Sequence, residues 1–315
     1  MLRRGASTSV DESRMAWIFG SSRSGSTWLH RMLDDHPEVF SLNEPHIGHH
    51  LGIWRPIPLA WATAERHPEL TTLSEVKKER DDYFFSQRYQ SEWEPALKEL
   101  ILTRFEAQLR AEAPQQAQET PTLVIQEPGG SHVADWIMSL FPGSALIWLL
   151  RDGRDVVDSW LDAYRDGSWA NEEGAYPLTE EGRLPFIEWQ ATVWLQRTEV
   201  VQRAYDHQRP DRRALVHYEE LVENPMRELG RICGTLDIAL DEELLRDLVE
   251  SHSYSRTPEE LKGPGKEIRQ AKPGAWRESM SADEIAAMMR IIGPKLAELG
   301  YDDGTARAPD LVELR

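Results

Sequence analysis

The chain has 315 residues, 40% of them hydrophobic, and carries 36 lysines and arginines against 54 aspartates and glutamates, a formal net charge of −18. Its length and apolar content suffice for a large buried core. No apolar run approaches the roughly 18 residues of a membrane span, and the acidic balance opposes unspecific binding to nucleic acid or anionic membranes. The lone cysteine, Cys233, rules out an internal disulfide, and the polar Met1–Arg14 lacks the apolar stretch of a signal peptide; both point to a cytoplasmic protein with a flexible N-terminus over 1–14. In chain order, strands are predicted near 15–20, 122–127, 145–150 and 213–217, and helices over 26–35, 131–140, 154–163, 185–206, 225–236, 241–249 and 282–298. This alternation predicts an α/β fold, a three-layer α/β/α arrangement around a central parallel sheet, as a single domain over 15–301. Residues 46–120 break the rhythm with Trp54, Trp61, Tyr83, Phe84, Phe85, Tyr89 and Trp93, and read as a helical, aromatic insertion over the C-terminal edge of the sheet, where open α/β folds bind ligands. Residues 165–184 read as a surface loop over the substrate and 302–315 as a flexible tail.

Two segments carry phosphate chemistry. Trp17-Ile18-Phe19-Gly20-Ser21-Ser22-Arg23-Ser24-Gly25-Ser26-Thr27-Trp28-Leu29 reads as a buried strand entering a phosphate-cradling turn and then a helix. Gly20 and Gly25 have the G-x-x-x-x-G spacing of a Walker A loop and Thr27 supplies its hydroxyl, but Ser26 stands where a nucleoside triphosphatase needs lysine, and the cation comes earlier, as Arg23. That substitution argues for a donor other than ATP. The second segment is the apolar run Ser144–Leu150, which ends abruptly at Arg151, with Ser159 about two helical turns further on. An arginine fork with a neutral hydroxyl donor suits a second phosphate group.

Together these segments resemble the sulfotransferases that use 3′-phosphoadenosine 5′-phosphosulfate (PAPS). The resemblance implies that Ser22–Trp28 holds the 5′-phosphosulfate: Arg23 touches the bridging oxygen, Ser24, Gly25, Ser26 and Thr27 orient the group, and Trp28 lies against the adenine. It assigns the 3′-phosphate to Arg151 and Ser159, and a further nucleotide contact to Tyr218. Ile268–Arg277 resembles the end of the family's glycine-rich flap, here 255–277, with Gly274, Trp276 and Arg277 in place, and the resemblance puts Trp276 among the cofactor-binding residues. Gln270 and Ala271 replace the expected lysine and glycine, so either Arg269 or Lys272 makes the flap's phosphate contact.

For the base, Asp34–Pro45 resembles the protein-tyrosine sulfotransferases, in which a glutamate 21 residues after the loop arginine takes the acceptor's proton; Glu44 lies 21 residues after Arg23. Glu127 and His132 are the alternative bases. Gln126 stands where family members often carry a strand-end lysine, and Pro128 where the cytosolic enzymes have a histidine, which puts more of the transition-state charge on Arg23. The resemblance therefore implies direct in-line transfer of a sulfuryl group from PAPS to a hydroxyl of a small molecule or carbohydrate, with neither a nucleic acid nor a membrane as partner. A small-molecule kinase and a bisphosphate-binding protein without transfer activity are the alternatives. His46, His49 and His50 cluster without carboxylates or cysteines at ligand spacing, so no metal is expected.

Overall fold

Five short strands, three of them buried at every residue, form the centre of the molecule, which is a computed structural model describing residues 10–48, 80–82, 84–266, 268–269 and 272–301. They are β1 (Met15–Phe19), β2 (Val39–Asn43), β3 (Thr122–Gln126), β4 (Ala145–Leu150) and β5 (Arg213–His217), all parallel and ordered β2-β3-β1-β4-β5. Burial on both faces is what a parallel sheet requires, since its crossovers lay helices over both sides. The register is fixed by alternation. Met15, Trp17 and Phe19 of β1 enter one apolar cluster, while Ala16 and Ile18 enter the other.

Among the described residues, eight principal helices cover the sheet: α1 (Ser26–Asp34), α2 (Gln90–Glu112), α3 (Ala134–Leu140), α4 (Gly153–Ala163), α5 (Glu180–His207), α6 (Pro225–Leu236), α7 (Glu242–Ser251) and α8 (Ala282–Glu298). Residues of α2, α3, α4, α5 and α8 join the first cluster, around Trp17, Trp148 and Trp194. Residues of α1, α6 and α7 join the second, around Ile18, Val124 and Ile147. The result is the three-layer arrangement expected from the sequence.

Three local differences have physical causes. The extended stretch before Glu44 is a true edge strand, β2, paired with β3 from Val39 opposite Thr122 to Asn43 opposite Gln126. The helix predicted over 131–140 begins as a 3₁₀ turn, Pro128–Val133, because Pro-Gly-Gly is a poor helix start; here the Ser131 hydroxyl accepts from Gly20 N at 2.9 Å and donates to Gly20 O at 2.7 Å, tying the turn to the end of β1. The helix predicted from 185 starts at Glu180, where the Thr179 side chain accepts from the Gly182 amide.

The insertion leaves β2 at the C-terminal edge of the sheet, where Gly48 packs directly on Gly130. Trp54, Trp61, Tyr83, His49 and His50 lie outside the described residues. The chain returns as α2, which buries Ile101, Phe105 and Leu109 against the sheet face and pairs Lys98 with Glu12 ahead of β1.

Candidate active site

All five strand ends open on one side of the sheet, and each delivers polar residues there. β1 runs into Gly20–Gly25, β2 into Glu44, β3 into Gln126 and Glu127, β4 into Arg151, and β5 into Tyr218. A cavity of about 940 Å³ lies over these ends, lined by Ser22, Arg23, Gly25, Ser26, Thr27 and Trp28 of the loop, by Glu44, Arg151, Ser159 and Tyr218, and by Arg269 and Lys272 of the flap.

The loop is wound for an anion. Arg23 and Gly25 both take left-handed backbone conformations, with φ of 71° and 85°, and Gly25 caps α1. A side chain at Gly25 would bring its Cβ to 2.6 Å from the Tyr218 ring, so only glycine lets the loop lie so close to that ring. The first-turn N–H groups of α1 lack intrahelical acceptors and, with the helix dipole, favour negative charge at this end. Ser24 turns inward, its hydroxyl donating to Ser21 O at 2.6 Å, and so braces the loop from behind the cavity wall.

Arg151 crosses from β4 to the same loop: Nη1 donates to the Arg23 carbonyl at 2.7 Å, and the guanidinium lies 4.4 Å from the centre of the Tyr218 ring. Its Nε is buried with no hydrogen-bond partner among the described residues, an unspent donor beside the cavity. Ser159 is buried on α4, and its hydroxyl accepts from Arg23 Nε at 3.1 Å. Arg23 also lies near Trp169 and Trp160, at 5.5 and 6.0 Å from their ring centres. Trp28 is fixed through its indole N–H, which donates to the His252 carbonyl at 2.8 Å.

The flap is tied to α4 by a row of aspartates on one helix face. Asp155 accepts from Gly274 N at 2.7 Å, Asp158 from Arg269 Nη1 at 2.5 Å and from the Ser279 hydroxyl, and Asp162 from Gly265 N at 2.8 Å. Arg269 thus reaches the cavity wall in the grip of a buried carboxylate, whereas Lys272 pairs with Glu278 at the surface. Trp276 does not line the cavity. It is buried between Arg154 and Arg277, and Arg154, only 1% exposed, forks onto Asp152.

Of the three possible bases, Glu44 lines the cavity and Glu127 and His132 do not. Glu44 has φ of 45°, its amide donates to Gln126 O, and its Oε1 lies 3.4 Å from Gln126 Nε2. Gln126 Nε2 also donates to Ser26 Oγ at 2.9 Å, so the amide standing in the lysine position braces the loop hydroxyl. Glu127 is buried and accepts from the Ile47 amide; desolvation pushes its carboxyl up to about 7, against the backbone hydrogen bonds it receives.

The family model described as "Sulfotransferase family" matches residues 16–242. The chain belongs to that family. A Caenorhabditis briggsae protein named "Putative protein-tyrosine sulfotransferase" is 22% identical over 304 residues, covering 94% of this chain and 92% of the relative. Among solved structures, a sulfotransferase domain from the curacin biosynthetic pathway aligns with a TM-score of 0.51 at 19% identity, over 91% of this chain and 97% of that one. A mouse sulfotransferase complexed with PAP (adenosine 3′,5′-bisphosphate) aligns with a TM-score of 0.53 at 12% identity, over 91% and 86%. These structural likenesses establish the shared fold.

Arg23, Gly25, Ser26, Thr27, Trp28, Glu44, Arg151, Ser159, Tyr218, Arg269 and Lys272 meet around one cavity. Ser24 and Trp276 support it from behind. Sequence reasoning missed Arg31 and Arg256, which also line the cavity, and Arg197, whose guanidinium reaches Ser22 from α5. None of these three falls in a motif, and Arg197 sits within a long helix where an arginine ordinarily signals a solvated face.

Proposed function

We propose that this sulfotransferase moves the sulfuryl group of PAPS to an acceptor hydroxyl by direct in-line transfer. The observation that carries the reading is the single cavity that joins the lysine-free loop, the Arg151–Ser159 pair and Glu44. The residues present fit such a donor: two left-handed loop residues shape an anion cradle, and the buried Arg151 Nε beside it has no hydrogen-bond partner among the described residues. When bound, the donor supplies an activated sulfur whose bond to the bridging oxygen breaks as the acceptor oxygen attacks.

The chain's own part is to hold and to move charge. Glu44 takes the proton from the acceptor hydroxyl, the role its place in the cavity wall permits. Arg23 and the N–H groups at the start of α1 face the negative charge gathering on the departing bisphosphate, with Ser26 and Thr27 fixing orientation. Arg151 and Ser159 hold the 3′-phosphate, and Arg269 closes the flap over it. Most of the rate gain then comes from positioning and preorganised electrostatics. Trp160 and Trp169 form an aromatic wall near Arg23, which favours an acceptor with a hydrophobic or cyclic body, an alcohol or a phenol.

The test is calorimetry in metal-free buffer with PAP, ADP and adenosine 5′-phosphate, followed by an acceptor screen with sulfur-labelled PAPS. PAP binding that depends on the 3′-phosphate, and label transferred to a hydroxyl compound, are the expected results. Binding of ADP as tight as PAP, strengthened by Mg²⁺, would replace this reading with that of a kinase.

A further inference from the structure

One cation near the reacting end has no part in the roles assigned above. Arg197 lies midway along α5, and its guanidinium spans two strand ends: Nη1 donates to Ser22 Oγ at 3.0 Å and Nη2 to the Gly129 carbonyl at 3.3 Å. Its Nε is buried without a hydrogen-bond partner among the described residues. Desolvation pulls the group down to about 10, and the Glu44 carboxylate is the one charge pulling it back up. Burying a guanidinium is costly unless a carboxylate pairs with it, yet among the described residues none forms an ion pair with Arg197, and both of its bonded partners are neutral. A helix that needed only to pack on this turn could use an uncharged side chain. The charge is directed instead at Ser22 and Glu44, both of which line the cavity.

The end of β3 itself, beside the Gly129 carbonyl that Arg197 reaches, carries no cation. Gln126 stands there, with its amide spent on Ser26 and Glu44. The donor loop's own arginine, Arg23, lines the cavity and also bonds the Ser159 hydroxyl, so a charge from α5 would add to that of Arg23.

We propose that Arg197 is a positioning residue for the 5′ end of the donor, supplying from α5 the positive charge that β3 does not carry and acting through the Ser22 hydroxyl. This rests on the PAPS reading given above. Ser22 Oγ accepts from Arg197, which leaves its own hydroxyl proton to donate into the cavity and polarises it for that purpose. A 5′-phosphate or phosphosulfate oxygen is the acceptor of matching charge.

The experiment uses calorimetry on the full chain with three probes: PAP, adenosine 5′-phosphate and adenosine 3′-phosphate. Arg197→Met should weaken PAP and adenosine 5′-phosphate about tenfold and leave adenosine 3′-phosphate unchanged. Ser22→Ala should show the same split, and the double variant should be little worse than either single one, since both changes cut the same path. Arg197→Lys, which keeps the charge but reaches only one of the two partners, should lose a few-fold on the two 5′-phosphates alone, and it decides the matter if the Met variant does not fold. Equal losses for all three nucleotides, or none for any, would overturn the proposal. Failure of the unaltered chain to bind PAP would instead remove the donor reading itself, before Arg197 enters.

Discussion

Replacing Arg151 by alanine tests the donor site where its geometry is most explicit. Nη1 is held by the Arg23 carbonyl at 2.7 Å, while the buried Nε has no hydrogen-bond partner among the described residues, so that edge of the guanidinium is the one left for a phosphate. Hydrogen bonds to charged groups contribute about 1.5–3 kcal/mol each. One strong contact, or two weakened by water that refills the space, makes the loss about 3 kcal/mol, roughly a hundredfold in Kd. Calorimetry with PAP should record that loss, whereas adenosine 5′-phosphate, which lacks the 3′-phosphate, should change by less than about threefold. If both nucleotides weaken alike, Arg151 serves the site by holding the Arg23 carbonyl, and its assignment to the 3′-phosphate is wrong. If neither weakens, the donor lies elsewhere.

Further outcomes follow from single residues. Glu44→Gln should lower turnover of an acceptor found by screening about a hundredfold or more while leaving PAP affinity within about threefold; equal turnover would move the base elsewhere. Gly25→Ala places a Cβ 2.6 Å from the Tyr218 ring at a φ of 85°, so thermal melting should show a loss of about 1–3 kcal/mol, and an unchanged Tm would mean that the loop relaxes freely. Glu127, raised by burial from 4.5 to about 7, takes up a proton on folding. Its contribution is therefore fully present below about pH 4.5 and lost as the pH rises through about 7. Glu219, raised likewise to about 7, adds a slope of the same sign, so urea unfolding of Glu127→Gln between pH 5 and 8 should fall less steeply than that of the parent without becoming flat. Ser159→Ala should weaken PAP yet leave adenosine 5′-phosphate equal or tighter, because Arg23 is then released from its bond to the Ser159 hydroxyl; a matching loss for both nucleotides would count against the assignment.

What the sequence made legible was local and periodic. Apolar runs of strand length marked β1, β3, β4 and β5, and the G-x-x-x-x-G turn and the Arg151–Ser159 spacing marked the loop and α4, because in each case neighbouring residues along the chain do the work together. β2 was harder to read. Val39-Phe40-Ser41-Leu42-Asn43 is short and half polar, and its partner, β3, lies about eighty residues away in the chain, so its pairing is a tertiary fact. Trp276 stands in a different position. Its motif placed it at the nucleotide, but Arg154 and Arg277 enclose it, so it anchors the base of the flap. Arg197 was invisible because nothing in its helical neighbourhood records that the guanidinium will meet Ser22, 175 positions earlier in the chain.

The same long-range placement accounts for how a chain of net charge −18 can present a phosphate site. Arg154 is consumed by Asp152, while Arg23, Arg151, Arg269 and Lys272 reach the wall, joined by Arg31 and Arg256. Besides Glu44 and Glu173 in the wall, the acidic residues beside the flap are grouped. Asp155, Asp158 and Asp162 stand in one row on α4 and are spent on the backbone and arginine of the flap. Asp158 is paired with Arg269 and holds it in place at the cavity wall. A polyanion entering the cavity then meets arginines and helix N–H groups at short range, where local geometry outweighs the sign of the whole molecule, because surface charges more than about 10 Å away are largely screened at ordinary ionic strength.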